Sequence, residues 1–120
     1  MVPGIEHNEN LIQVYFTQCK LGDEGVISLS NALSKNMNIA YIHLNENKIG
    51  DEGAKALSEK LLGKASLRKL ILSNNLISDL GASYIGENLA EAQGIQYLFI
   101  NSNIIKDEGC ENISKGLEKK

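Results

Sequence analysis

Residues 39–61 read Ile-Ala-Tyr-Ile-His-Leu-Asn-Glu-Asn-Lys-Ile-Gly-Asp-Glu-Gly-Ala-Lys-Ala-Leu-Ser-Glu-Lys-Leu, and variants of this stretch occur four times along the 120-residue chain. The step is 28 residues, with no insertion or deletion. Leu11, Ile39, Leu67 and Ile95 open the copies, which gives units 11–38, 39–66, 67–94 and 95–120. Three apolar columns run through them: Val14, Ile42, Leu70, Leu98; Phe16, Leu44, Leu72, Ile100; and Leu21, Ile49, Ile77, Ile105. A further column reads Cys19, Asn47, Asn75, Asn103. The four aspartates of the chain, Asp23, Asp51, Asp79 and Asp107, share one repeat position, and Gly25, Gly53, Gly81 and Gly109 share another. A fixed period of this length marks a stacked solenoid, because no unit buries its apolar face alone.

Each unit divides into two periodicities. In Leu67-Arg68-Lys69-Leu70-Ile71-Leu72 the alternation argues a short strand, with Leu70 and Leu72 inward and Lys69, Ile71 and Ser73 outward. Ala54, Leu57 and Leu61 are spaced by three and four, as are Val26, Leu29, Leu33 and Ala82, Ile85, Leu89, which places one apolar stripe on a helix. The aspartate stands at the helix start, either as N-cap or as first helical residue, beside unpaired backbone N–H groups. Ser78 is an N-cap candidate in the third copy. A glycine within the first turn costs about 1 kcal/mol relative to alanine. Its recurrence predicts a backbone that approaches a neighbouring backbone too closely for a Cβ.

Strands stack about 4.8 Å apart and helices roughly 8–10 Å apart, so a stack with strands on one side and helices on the other curves. The expected fold is therefore an α/β right-handed solenoid, with parallel strands on the concave face and helices on the convex face. Residues 1–120 form one domain by size, with 1–10 a partial or degenerate repeat end. That fragmentary start, and the absence of a dedicated cap at either end, predict a piece of a longer array or a member of a larger assembly.

The pattern Leu-x-x-Leu-x-Leu-x-x-Asn/Cys-x-Leu, followed by Gly-Asp-Glu-Gly-Ala and a helix, resembles the leucine-rich repeat of the ribonuclease-inhibitor type. Similar repeats occur in NOD-like receptors, ribonuclease inhibitor and Ran GTPase-activating protein. The resemblance covers about nine-tenths of the chain. It implies that Asn47, Asn75 and Asn103 form a buried ladder to the backbone of adjacent turns, with Cys19 as an accepted replacement.

Composition narrows the function. A net charge of −3 and a pI near 5.4 give no electrostatic basis for binding nucleic acid. No apolar run reaches the roughly 18–20 residues of a membrane span, and residues 1–7 lack the features of a signal peptide. Cys19 and Cys110 belong to the first and fourth copies, about 14 Å apart by strand spacing and too far for a disulfide. Both read as small core residues in a reducing compartment, which favours the cytoplasm.

The copies differ most on the outward strand positions. One column reads Tyr15, His43, Ile71, Phe99, and its neighbour Gln13, Tyr41, Lys69, Tyr97. Of six aromatic residues, Tyr15, Tyr41, Tyr97 and Phe99 project from this one sheet. Large, rigid side chains with polar tips suit recognition. The expected partner-binding residues are Tyr15, Tyr41, His43, Glu46, Lys69, Ile71, Tyr97 and Phe99. Such a face covers only a few hundred Å², against about 800 Å² per partner in a standard interface. It therefore calls for loop contacts, a peptide-like partner or further repeats.

Catalysis is not expected. His7 lies in the N-terminal tail, His43 stands alone in the concave column, and no serine has a compatible histidine and acid. Glu46, near His43, is read as a solvated neighbour rather than a metal ligand. Neither a cofactor, a metal nor a small-molecule substrate is expected. The reading is a non-catalytic protein-interaction module, with a GTPase regulator and an architectural spacer as alternatives.

Overall fold

The computed structural model describes residues 12–120. The degenerate repeat end expected at 1–10, with His7 and Leu11, lies outside the described residues. Four strand–helix units follow one another: β1 (Gln13–Tyr15), α1 (Gly22–Ser34), β2 (Tyr41–His43), α2 (Asp51–Leu61), β3 (Lys69–Ile71), α3 (Asp79–Leu89), β4 (Tyr97–Phe99) and α4 (Asp107–Glu118). The strands make one parallel sheet in the order β1-β2-β3-β4. Register advances by one repeat at each step: Val14 faces Ile42, Ile42 faces Leu70, and Leu70 faces Leu98. The sheet lines the concave side of the stack and the helices its convex side.

The predicted inward columns form the core. Ile42, Leu44, Ile49, Leu70, Leu72 and Ile77 are all essentially inaccessible, as are Leu29, Leu33, Leu57, Leu61, Ile85 and Leu89 from the helices. Their counterparts Phe16, Leu21, Leu98, Ile100 and Ile105, in the outer coils, are only partly buried. An inner coil is covered from both sides. The fourth coil has a described neighbour on one side only.

The asparagine column forms the ladder the resemblance implies. Asn75 Oδ1 accepts from the N–H groups of Asn47 (2.9 Å) and Ile49 (3.1 Å). Its Nδ2 donates to the carbonyls of Leu44, Leu72 and Ser73. Asn47 and Asn103 repeat the arrangement, Asn47 donating to the Phe16 carbonyl and Asn103 to that of Leu72. One side chain thus satisfies buried donors and acceptors on two coils, which a non-regular turn requires.

The aspartates are the first residues of α2, α3 and α4, so the open choice at Asp51 resolves to a helical position. Their carboxylates serve a different helix from their own. Asp23 Oδ1 accepts from the N–H groups of Gly50 (2.7 Å) and Gly53 (3.0 Å) in the next coil. Asp51 accepts from Ser78 (2.8 Å) and Gly81 (2.9 Å), and Asp79 from Lys106 (2.6 Å) and Gly109 (3.1 Å). Each coil therefore caps the helix of its successor, where the dipole and unpaired donors favour an anion. Ser78 is the N-cap of α3, its Oγ accepting from Leu80 N–H at 3.4 Å.

This ladder corrects the expected reason for the glycines. A Cβ on Gly53, Gly81 or Gly109 would lie 2.5–2.7 Å from the preceding coil's aspartate oxygen, and as close to Cγ2 of its own coil's isoleucine. The glycine makes room for a carboxylate and a methyl group, not for a neighbouring backbone. Backbone-to-backbone approach occurs elsewhere: a Cβ on Gly116 would meet the Gly86 carbonyl, where α3 and α4 touch.

The cysteines need correction too. Cys19 and Cys110 are both exposed, not core. Each sits on an outer coil, at a position that is buried in the inner coils at Asn47, Ala54 and Ala82.

Candidate protein-interaction face

The strands set the outward residues in two rows across the sheet. One row is Gln13, Tyr41, Lys69, Tyr97 and the other is Tyr15, His43, Ile71, Phe99. Tyr15, Tyr41, Tyr97 and Phe99 are 63%, 37%, 53% and 43% exposed, so four of the expected contact residues present aromatic surface. Lys69 stands between two tyrosines in its row, its Nζ 5.9 Å from the Tyr41 ring and 5.4 Å from that of Tyr97. A cation at that distance is attracted to the ring faces, which holds the long side chain over the sheet. Tyr97 and Phe99, two positions apart on β4, lie parallel with centroids 6.4 Å apart.

His43 departs from the expectation. Tyr15 stacks on its ring at 4.0 Å and 7°, and only 8% of His43 remains accessible. It supports Tyr15 from below instead of offering a contact of its own. Burial lowers its pKa from the usual 6.5, and the Lys69 charge lowers it further, so the ring is neutral at pH 7. Ile71 and Lys69 are half-buried floor between the two aromatic ends.

Glu46 is also placed apart from the aromatic cluster. It sits at the strand-to-helix turn, where Gln18 Nε2 donates to its carboxylate at 2.6 Å. Lateral bonds of this kind recur at the strand ends: Thr17 to Asn45 (3.4 Å) and Ser73 to Asn101 (2.6 Å). Side chains at the strand ends, the expected contact Glu46 among them, are thus partly spent on their own neighbours. Their 28-residue separation was the available signal, since residues one period apart sit side by side in the sheet. The same turn holds Gln18, Glu46, Asn74 and Ser102 at φ values of 57–59°, a left-handed conformation that costs most residues about 1–2 kcal/mol. A shallow depression of about 350 Å³ runs along it, lined by Lys20, Lys48, Asn74 and Leu76 among others.

Among the described residues, no group of three His, Cys, Asp or Glu side chains is arranged to hold a metal ion. No helix there is long and apolar enough to cross a membrane. Arg68 is turned to structure: its guanidinium donates to the carbonyls of Ala65 (2.5 Å) and Gly94 (3.5 Å).

Four strand–helix coils in register, tied by an asparagine ladder and a carboxylate ladder, define a solenoid repeat protein with a small aromatic inner face. The family model described as Leucine Rich repeat matches residues 7–30, 35–58 and 63–86, more than half of the chain. The chain belongs to the leucine-rich repeat family. No curated protein matches its sequence. Among solved structures it is similar to leiomodin-1 actin-binding site 2, with 19% identity and a TM-score of 0.88, covering 97% of this chain and 69% of that one. It is also similar to the C-terminal domain of Caenorhabditis elegans tropomodulin, with 18% identity and a TM-score of 0.74, covering 96% and 87%. At these identities the likeness is one of fold.

Proposed function

We propose that the chain is a non-catalytic protein-interaction module that engages a protein partner across its concave sheet. The observation that carries this reading is the concentration of exposed aromatic surface at Tyr15, Tyr41, Tyr97 and Phe99 around the single cation Lys69. Tyr41, Lys69 and Tyr97 present a charge flanked by rings, which suits an acidic group flanked by apolar ones on the partner. Ile71 supplies the apolar floor, His43 holds Tyr15 in place, and Glu46 adds a contact at the rim. The small area favours an extended segment of the partner over a broad docking. We place the protein in the cytoplasm, where exposed free thiols such as Cys19 and Cys110 stay reduced. The GTPase-regulator reading is not carried forward, because the one arginine is occupied by carbonyls of its own chain.

The leiomodin structure is titled as an actin-binding site, which makes actin the first protein to test. Purified chain is titrated against actin monomers and filaments, alongside a variant carrying Tyr41→Ser, Tyr97→Ser and Phe99→Ser. Affinity should fall by about tenfold or more in the variant, as truncation of central aromatic anchors does elsewhere. The unfolding midpoint should change little, because these side chains lie outside the core. Undiminished binding by the folded variant would move the contact away from the sheet. If actin does not bind, the same comparison is made with a partner recovered by proximity labelling.

A further inference from the structure

Across the strands, the concave face has the form of a slot. Lys69 and Ile71 on β3 make its floor, both half-buried. Tyr97 and Phe99 on β4 make one wall, their rings parallel with centroids 6.4 Å apart. Tyr41 on β2, together with Tyr15 lying over His43, makes the other. Two strand spacings, about 9.6 Å, separate β2 from β4, and the rings take up part of that width. An α-helix with its side chains is about 10–12 Å across and is too wide to enter. A partner strand finds no free backbone over the floor, because β3 is paired with β2 on one side and with β4 on the other. The slot admits a single extended chain that needs no backbone pairing.

Polar groups narrow the occupant further. The hydroxyls of Tyr15, Tyr41 and Tyr97 have no hydrogen-bond partner among the described residues. The Lys69 ammonium has only the faces of Tyr41 and Tyr97 as partners there. Such a surface offers donors and calls for acceptors. A proline-rich segment supplies them, since its carbonyls are unpaired in the polyproline II form and its prolines carry no N–H.

We infer that the slot receives a proline-rich segment bearing an acidic residue, held as a polyproline II helix. The inference rests on the concave sheet being a contact surface and names the partner that suits it. A polyproline II helix is three-sided, with three residues per turn and a rise of about 3.1 Å. In a Pro-Glu-Pro stretch the carboxylate turns down to Lys69, while the two proline rings lean on Tyr41 and Tyr97 to either side. One turn advances about 9.3 Å, comparable with a wall two rings long. Aromatic-lined grooves read proline-rich segments in other folds, where the preformed helix keeps the ordering cost low. The chain itself holds one proline, Pro3, so a second copy does not supply such a segment.

Three peptides test this by isothermal titration against the whole chain at low salt. They are Pro-Pro-Pro-Glu-Pro-Pro-Pro, the same peptide with Gln for Glu, and the same peptide with Ala for every Pro. The first should bind about tenfold or more tighter than the alanine peptide. It should bind about two- to fivefold tighter than the glutamine peptide, the range of an exposed ion pair. Lys69→Met should remove the second preference and leave the first. Tyr97→Ser should weaken the first peptide by about tenfold, and Tyr97→Phe, which keeps the ring, by much less. Equal affinity for the proline and alanine peptides, or no binding of either, would overturn the inference, as would undiminished binding by a folded Tyr97→Ser chain. If the proline peptide is inert while the triple aromatic variant loses a protein partner, the inference fails and the concave contact surface stands. If the peptide is inert and that variant keeps its partner, both fail.

Discussion

Leu72 and Ile100 hold the same position in successive coils, yet Leu72 is fully buried and Ile100 is only partly so. Ala82 and Cys110 differ in the same way, the first inaccessible and the second exposed. The members of each pair share a repeat position and an apolar or small side chain; the large difference between them is a neighbouring coil. In a stack, burial is a property of the junction between coils rather than of the residue, and stability is close to a sum over coils and junctions. The two outer coils also differ from each other. In the first, the Gly25 N–H bonds the Leu21 carbonyl and the Leu21 side chain fills the glycine notch, whereas in the fourth Asp107 caps no helix among the described residues and Leu98, Ile100, Ile105 and Cys110 line a groove.

The contrast between inner and outer coils is sharpened most by the asparagine ladder. Asn75→Ala removes one side chain that serves two donors and three carbonyls in a fully covered turn. With about 1–3 kcal/mol for each group left unpaired in the interior, a loss of about 3 kcal/mol or more is expected. Asn103→Ala should cost about half as much, because water reaches its turn. Chemical denaturation of both variants decides the matter, and equal losses would show that the fourth turn is covered after all.

A smaller contrast is expected at the glycines. Gly81→Ala forces apart Asp51 and Ile77, each about 2.6 Å from the new Cβ, and should destabilise by about 1–3 kcal/mol as overpacking does. Gly25→Ala meets only Leu21, whose side chain can turn aside, and helix propensity then favours alanine by about 1 kcal/mol. The two substitutions should move the thermal midpoint in opposite directions or leave Gly25→Ala neutral. If both destabilise equally, the carboxylate ladder is not the reason for the glycine.

The smallest expected effect concerns His43. Its pKa is lowered in the folded chain, so the unfolded chain binds more protons as the pH falls below 6.5, and folding stability declines there. The stabilising contribution is complete above pH 6.5 and is lost as the pH falls towards the folded value. His43→Phe keeps a flat ring under Tyr15 and should flatten this part of the stability–pH profile. A profile identical in the two proteins would remove His43 from account.

The sequence alone determined the period, the strand and helix in each unit, and the identity of the inward columns. These follow from local periodicity, which a 28-residue repeat states four times over. It also located the aromatic residues on the outward strand positions. Only the tertiary structure decided that Asp51 caps the helix starting at Asp79 instead of its own, that Tyr15 covers His43, and that Cys19 and Cys110 are exposed. Each of these depends on what a neighbouring coil places against the residue. A side chain's identity fixes what bonds it is able to make, whereas the stack decides which partner stands within reach.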